Sequence, residues 1–214
     1  SFGMEGLQSW LSDCDALVQD GILTGDLTGD GNDELIVIYA DPAAPEGVTV
    51  NDMVVLHYGS TGFTETFRAK AAGKVQVWRT EDINADGKVD ILYSDTSCGA
   101  NTCYDTLQVI SWDGSTWQNW VDGSLGMAYA GYSVREASDA GQGNEIVISG
   151  GVSGSENAGP QRARTETWAS IGGAPYTRLS LTNEASDCLF FAVTDANTLF
   201  SQLPNADLAE LERL

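Results

Sequence analysis

The sequence predicts a mainly β protein built from three repeated antiparallel units, with short helices at its N- and C-terminal ends. An acidic, glycine-containing segment followed by an apolar run recurs about every 55 residues, and such a fixed period indicates a repeat architecture. In step with it, a strand-like stretch leads into a glycine-bearing turn and then an aromatic residue, which indicates a β-hairpin.

The acidic segment is clearest in the first two repeats. Residues 26–38 read DLTGDGNDELIVI, and residues 82–93 read DINADGKVDILY. Both follow the pattern D-x-[T/N]-x-D-G-x-x-[E/D] and continue into an apolar run. Residues 137–149, ASDAGQGNEIVIS, keep the final glutamate and the apolar run but lose most of the acids.

The hairpin segment also occurs three times. Residues 54–63, 107–117 and 165–176 each lead through a glycine-bearing turn to an aromatic residue. One unit is therefore a loop, a strand, a hairpin and a further strand, which predicts a small antiparallel sheet of about four strands.

The two ends of the chain differ from the repeats. In residues 1–21, the apolar positions from Met4 to Val18 fall on one face of a 3.6-period helix, which Gly21 would end. At the other end, Leu208, Leu211 and Leu214 share a helical stripe. The segment at Leu189–Phe191 fits either the end of a strand or the start of a helix.

These patterns divide the chain into three parts. Residues 1–21 form the predicted N-terminal helix, residues 22–182 hold the three repeats, and residues 183–214 form a C-terminal, partly helical segment. The individual repeats are expected at about 22–77, 78–132 and 133–182.

The charge balance restricts the partners. The chain has 10 Lys+Arg against 31 Asp+Glu, for a formal net charge of −21. Such a surface repels nucleic acids and anionic membranes and attracts divalent cations. No apolar run reaches the roughly 18 residues that a membrane-spanning helix needs, so no membrane span is predicted.

The cysteines favour an oxidising compartment. Cys98 and Cys103 lie in the turn-forming segment CGANTC, where a short disulfide is expected, and Cys14 and Cys188 are placed to tie the two ends together. An even count with a short spacing is typical of secreted or cell-surface proteins. The alternative is four buried thiols in a cytosolic protein. A zinc site is not indicated, because His57 is the only histidine and no CxxC is present.

The acidic segments have the spacing of calcium loops. Calcium takes six to eight oxygen ligands, and acids at alternating positions of a short loop can supply them. The ligands would come from loop positions one, three, five, seven and nine, with position seven acting through its backbone carbonyl. The first loop supplies Asp26, Thr28, Asp30, Asn32 and Glu34. The second loop supplies Asp82, Asn84, Asp86, Lys88 and Asp90.

Comparison with the EF-hand and with the third loop narrows this prediction to calcium loops of another kind in the first two repeats. An EF-hand needs a bidentate acid at position twelve and flanking helices, but position twelve is Val37 or Tyr93 and strand-like residues follow both loops. The third loop keeps only Asp139 and Glu145, so it is expected to keep the turn and lose the ion. In loops one and two, clustered carboxylates repel each other without a cation, which predicts a structural Ca²⁺ ion in each.

The repeated acidic pattern resembles the FG-GAP/VCBS repeat family, whose best-known members are the β-propeller blades of integrin α subunits. The resemblance covers roughly residues 22–182. It implies propeller-like blades, with calcium held at the ten loop positions named above. Since propellers typically use four to eight blades, three blades predict an open or incomplete propeller.

No catalytic constellation is present in the sequence, which has no GxSxG, HExxH or P-loop motif. His57 is interpreted as an ordinary strand residue. The favoured function is a secreted, non-enzymatic calcium-binding module for adhesion to an unidentified protein or glycan. The alternative is a self-assembling subunit of a filament or surface layer, and a glycan-acting enzyme is the least favoured. Trp117, Trp120, Arg162 and Arg164 are candidate ligand contacts, although packing between repeats is favoured for both tryptophans.

Overall fold

The computed structural model describes residues 6, 9, 17–40, 50–60, 62–69, 72–137, 142–154 and 159–201. The first sheet consists of β1 (Leu17–Gly25), β2 (Glu34–Ala40), β3 (Asn51–Gly59) and β4 (Gly62–Ala69). The second consists of β5 (Lys74–Glu81), β6 (Asp90–Cys98), β7 (Cys103–Trp112), β8 (Trp117–Asn119) and β9 (Leu125–Ala128). The third consists of β10 (Gly131–Arg135), β11 (Glu145–Gly150), β12 (Arg164–Ala169) and β13 (Thr177–Asn183), and helix α1 (Leu189–Ser201) follows it.

Each sheet is an antiparallel meander in which consecutive strands are neighbours. The strand orders are β1-β2-β3-β4, β5-β6-β7-β8 and β10-β11-β12-β13, and β9 pairs with the free part of β7. The predicted mainly β class and the three antiparallel units are therefore confirmed. The middle sheet gains a fifth strand because β8 covers only the end of β7 nearest the Trp112–Trp117 turn.

The three predicted hairpins are also confirmed. They are β3–β4, which closes at the Gly59↔Gly62 pair, β7–β8, with its turn at 113–116, and β12–β13, with its turn at 170–176. The turn after β7 is closed by Asp113, whose carboxylate accepts hydrogen bonds from the amides of Ser115 and Thr116 at 2.8 Å each. Such a side chain-to-backbone bond is the physical basis of the aspartate preference in turns.

The sheets pack face to face in series. One apolar cluster joins the first and second sheets, with Ile36, Val55 and Ile91 among its buried members. A second cluster joins the second and third sheets and includes Leu107 and Ile148. Both faces of the middle sheet are therefore buried, which explains the near-continuous apolar runs in β6 and β7.

Both tryptophans considered as ligand contacts belong to these clusters. Trp117 is 8% exposed and lies in the cluster between the first two sheets. Trp120 packs against the cluster between the second and third sheets. Packing between repeats, the favoured interpretation, accounts for both side chains.

The predicted N-terminal helix is wrong over its last residues. Strand β1 begins at Leu17, and its backbone pairs with β2 from Leu17↔Tyr39 to Gly25↔Glu34, so Gly21 lies inside a strand. Pairing with a neighbouring strand overrides a helical apolar period in the sequence. Gly6 and Ser9 are helical.

At the C-terminal end, the ambiguous segment at Leu189 begins helix α1. Arg162, which lies two residues before β12, contacts this helix by pairing with Asp195 and by stacking 4.8 Å from the ring centroid of Phe191. The stripe at 208–214 lies outside the described residues. Within the described part of the chain, no helix combines the length and apolarity needed to cross a bilayer.

Of the two predicted disulfides, one is formed. Cys98 and Cys103 are bonded and face each other across β6 and β7. The predicted bridge between Cys14 and Cys188 is not supported, because Cys188 carries a free thiol, and Cys14 lies outside the described residues.

Tyr176 joins the second and third repeats. Its side chain is fully buried, and its hydroxyl lies 2.7 Å from the Ile83 carbonyl oxygen and 2.9 Å from that of Asn144. The Asn144 amide also donates to Ile83 O at 2.6 Å, and Gly143 packs against the backbone of Asn84 with no room for a Cβ. The third repeat therefore supports the second acidic loop directly.

Tyr176→Phe is expected to lower the free energy of unfolding by about 1–3 kcal/mol, because it removes a buried hydrogen bond while keeping the ring. Urea unfolding followed by circular dichroism would measure the loss. Tyr58→Phe, at a half-exposed tyrosine, is the control and should change stability by less than about 0.5 kcal/mol. Equal effects of the two substitutions would contradict the assigned role of Tyr176.

Candidate metal centre

The two acidic loops occupy equivalent places in their sheets. Residues 26–33 connect β1 to β2, and residues 82–89 connect β5 to β6. Strands therefore flank both loops, in agreement with the rejection of an EF-hand. Tight turns are possible because Gly29, Gly31 and Gly87 have φ values of 76°, 88° and 85°, in the left-handed region that favours glycine.

The acid at loop position nine is buried in both repeats. Glu34 is 0% exposed and Asp90 is 1% exposed. Glu34 Oε2 accepts hydrogen bonds from the amides of Leu27 (2.9 Å) and Thr28 (3.0 Å). Asp90 Oδ2 accepts the equivalent bonds from Ile83 (3.0 Å) and Asn84 (3.2 Å). Each acid thus uses one oxygen to fix the start of its own loop.

The residue at position two anchors each loop in the core. Leu27 is 3% exposed and belongs to the cluster between the first and second sheets. Ile83 is 1% exposed and belongs to the cluster between the second and third sheets. Burying such a side chain stabilises the fold by roughly 1.5–3 kcal/mol. The loop conformation and the packing between sheets are therefore linked.

The acids at position one also turn toward their own loops. Asp26 Oδ1 accepts from the amides of Gly29 (2.8 Å) and Asp30 (3.1 Å), and its Oδ2 accepts from Gly31 (3.0 Å). In the second loop, Asp82 Oδ2 accepts from the Gly87 amide at 2.8 Å. Carboxylate oxygens have further lone pairs, so these bonds orient the acid without exhausting its capacity to bind a cation.

The remaining predicted ligands lie beside these acids. Asp30 Oδ1 and Asp86 Oδ1 accept from the amides two residues later, those of Asn32 and Lys88, at 2.8 and 2.9 Å. The Thr28 hydroxyl donates to Glu34 Oε1 at 3.3 Å, and the Asn84 amide group donates to Asp90 Oδ1 at 3.3 Å. Side-chain contacts thus join loop positions three and nine in both loops. The Lys88 ammonium group donates to Trp112 O instead, as expected if Lys88 takes part only through its carbonyl.

His57 is a member of the first site that sequence interpretation missed. Its Nδ1 lies 2.8 Å from Glu34 Oε1, and ligand atoms of Asp30, Glu34 and His57 all lie within 4.8 Å of one another. Strand register explains the meeting, because Glu34 and His57 are directly opposite partners on β2 and β3. Pairing the hairpin strand that carries His57 with the strand that follows the first loop would have placed His57 opposite Glu34.

The position-nine acids of the three repeats have different partners. Glu34 is bonded to His57, and this hydrogen bond raises the pKa of the imidazole. Asp90 pairs across the sheet with Ser111, and burial raises its pKa to about 6. Among the described residues, no basic side chain forms an ion pair with Asp90. Of the position-nine acids, Asp90 would therefore be stabilised most by a bound cation.

The third repeat pairs its position-nine acid with a basic side chain. Glu145, at position nine, forms an ion pair with Arg135 across β10 and β11. Ala137 stands where the other loops have their first aspartate. Asp139 and Gly141 lie outside the described residues. A guanidinium group supplies a positive charge beside the position-nine acid here, and the expected loss of the ion remains a prediction.

The donor set fits calcium better than a transition metal. In the second loop every predicted donor is an oxygen, and hard cations prefer oxygen ligands. In the first loop a nitrogen approaches, but His57 already has Glu34 as its partner. Calcium in these loops remains a prediction.

Comparisons with known proteins do not identify the chain. No family model, curated protein or solved structure matches it. The case for a function therefore depends on the geometry of the chain itself.

Acidification is expected to weaken calcium binding. Ca²⁺ and protons compete for Asp90, so the affinity of the second loop should fall about tenfold from neutral pH to pH 5, one unit below the raised pKa. Without calcium, the folded protein should instead lose stability as pH rises through about 6. The reason is that the folded state binds the Asp90 proton more tightly than the unfolded chain does.

Calorimetric titration of an Asp26→Ala variant would measure the second loop alone. The first loop, isolated in Asp82→Ala, should also weaken on acidification as His57 becomes protonated, and His57→Gln should remove much of that dependence. A calcium affinity in Asp26→Ala that is unchanged between pH 7 and pH 5 would contradict the expected competition at Asp90.

Proposed function

We propose that this chain is an extracellular, non-enzymatic binding module whose blade-like sheets are stabilised by two calcium ions. The observation that carries the proposal is the shared construction of the two loops. Each combines a buried acid bonded to its own loop amides with an apolar side chain inserted between two sheets. Fixing the loop therefore fixes the packing of neighbouring repeats.

Electrostatics gives calcium its structural role in this proposal. In the first loop, Asp26, Asp30 and Glu34 lie in one short turn of a chain with a net charge of −21. Their mutual repulsion opposes folding unless a cation offsets it. Because the loop reaches its ligand geometry only in the folded state, binding energy contributes directly to folding.

The non-enzymatic part of the proposal rests on how the acids are used. Catalytic acids and bases must present a free, correctly poised group to a substrate. The loop carboxylates instead accept hydrogen bonds from their own loop amides, and His57 is bonded to the buried Glu34. Metal binding explains these arrangements more simply than glycoside hydrolysis does.

The extracellular assignment is supported by the disulfide between Cys98 and Cys103 and by the acidic surface. Disulfides persist mainly in oxidising compartments. In the proposed architecture the three sheets are the blades of an open propeller, since they pack in series and each repeats the same strand order.

Isothermal titration with Ca²⁺ tests the proposal. The protein is expected to bind two ions with dissociation constants of about 10⁻⁴–10⁻³ M, as in other extracellular modules. Asp26→Ala and Asp82→Ala should each remove one site, and EDTA should lower the melting temperature of the unaltered protein. Asp113→Ala is the matched control, because Asp113 closes a turn outside both loops and should leave both sites intact.

The absence of binding heat in the unaltered protein would refute the proposal. A melting temperature that EDTA does not change would limit calcium to an incidental role.

Self-assembly is a second candidate function, favoured by the exposed end of the third sheet. Every residue of the edge strand β13 is exposed, including Leu179 at 46% and Leu181 at 41%. Helix α1 also exposes apolar side chains, among them Leu189, Phe190 and Phe200. An open edge strand with exposed apolar residues is a template for pairing with another copy.

If this second candidate is correct, light scattering on a size-exclusion column should show mass increasing with protein concentration. Leu181→Lys, which places a charge on the edge strand, should then restore the monomer. A monomer at all concentrations would exclude assembly through β13.

A further inference from the structure

A cleft lies between the second and third sheets, apart from the acidic loops. One wall comes from β7, β9 and the turn between β8 and β9, and the other comes from β12 and β13. The cleft has a volume of about 480 Å³ and is open to solvent. Small-molecule sites commonly fall in the range of about 300–1,000 Å³.

The wall formed by β12 is unusual because it carries charges on the face that packs toward the second sheet. Alternate residues of a strand share a face, so Arg164 and Glu166 point the same way as Trp168, which is 4% exposed in the core between the sheets. The equivalent positions of the second repeat are Thr106, Gln108 and Ile110. No charge is needed at these positions to form the sheet.

Glu166 is the centre of this polar wall. Its side chain is 3% exposed, and it accepts hydrogen bonds from Arg164 Nε at 3.0 Å and Trp168 Nε1 at 3.1 Å. Arg178 Nη1 lies 3.5 Å from the same carboxylate. Only the carboxylate is buried, since Arg164 and Arg178 are 37% and 50% exposed. A buried charge is often no more stabilising than apolar packing even when it is paired, so stability alone does not account for Glu166.

The network leaves hydrogen-bonding groups for a ligand. A guanidinium has five N–H donors, and Arg164 commits its Nε to Glu166. Half of the Arg178 side chain is exposed, and the exposed Asp122 supplies acceptors from the other wall. The cleft therefore offers charged donors and charged acceptors side by side.

The balance of these charges selects a neutral ligand. Two guanidiniums and two carboxylates line the cleft, so it has no net charge to attract an ion. The net charge of −21 on the whole chain further disfavours an anion. Hydroxyl groups both donate and accept, so a polyhydroxylated molecule can use both kinds of group at once.

An aromatic ring completes the cleft. Tyr104 is 45% exposed, and its hydroxyl donates to Gly126 O at 2.9 Å, which holds the ring at the cleft. Gly126 is required there, because an added Cβ would lie 2.5 Å from Asp105 O and 3.1 Å from the Tyr104 ring. A fixed aromatic surface next to polar groups suits the apolar face of a sugar ring.

We propose that this cleft binds a neutral saccharide, with Arg164, Arg178 and Asp122 contacting hydroxyl groups and Tyr104 stacking on the ring. The inference rests on the proposed binding function and names its ligand class.

Titration of ¹⁵N-labelled, calcium-loaded protein with methyl glycosides of glucose, galactose, mannose and N-acetylglucosamine tests the inference. At least one sugar should cause saturable shifts of the Trp168 indole N–H and the β12 amides. Arg178→Ala and Asp122→Ala should each weaken that binding about tenfold or more, since each removes a charged hydrogen-bonding group. Arg79→Ala, at an equally exposed arginine paired with Glu81 in the second sheet, should not change it.

Three results would overturn the inference. They are the absence of saturable shifts with all four sugars, binding that survives both cleft substitutions, and tighter binding of galacturonate than of galactose. Arg178 and Asp122 are exposed, so both variants should keep the unaltered protein's spectrum away from the cleft. A separate calcium titration of calcium-free protein distinguishes the two proposals, because calcium binding without sugar binding would refute only the ligand assignment.

Discussion

The architecture depends on a buried carboxylate at the ninth position of each acidic loop. Glu34 and Asp90 sit where a loop enters the first buried strand, and each bonds two amides at the start of the same loop. Such a group has to be both hydrogen-bonded and neutralised, because an isolated charge in the core is prohibitively unfavourable. The amides satisfy the first requirement in both repeats. The partners of the position-nine acid differ between repeats, since His57 contacts Glu34, Arg135 contacts Glu145, and no basic side chain among the described residues pairs with Asp90.

This requirement extends to the packing of the whole molecule. The same two loops place Leu27 and Ile83 into the clusters that join one sheet to the next. A loop that loses its geometry would therefore also withdraw an apolar side chain from an interface between sheets. In a protein of repeats in series, such interfaces carry much of the stability, since each unit contacts only its neighbours.

Much of this organisation could be predicted from the sequence because repetition is a strong signal. The three sheets, their hairpins, the strand-flanked loops and the disulfide at Cys98 follow from local patterns. The first strand could not be found in this way, because residues 17–25 become a strand only by pairing with β2. The role of His57 likewise depends on cross-strand register, and the Arg164–Glu166 network depends on which face of β12 turns inward.

The proposed calcium sites and the proposed sugar cleft are mechanically connected. The Ile83 carbonyl, inside the second loop, meets both the Asn144 amide and the Tyr176 hydroxyl. Tyr176 immediately precedes β13, which carries Arg178 into the cleft, while the opposite wall belongs to the sheet that the second loop anchors. An ion that fixes this loop would thus hold the two walls in register, whereas the first loop lies one sheet away. Calcium at the second loop should therefore favour the sugar-binding arrangement, and by thermodynamic reciprocity a bound sugar should tighten that calcium site more than the first.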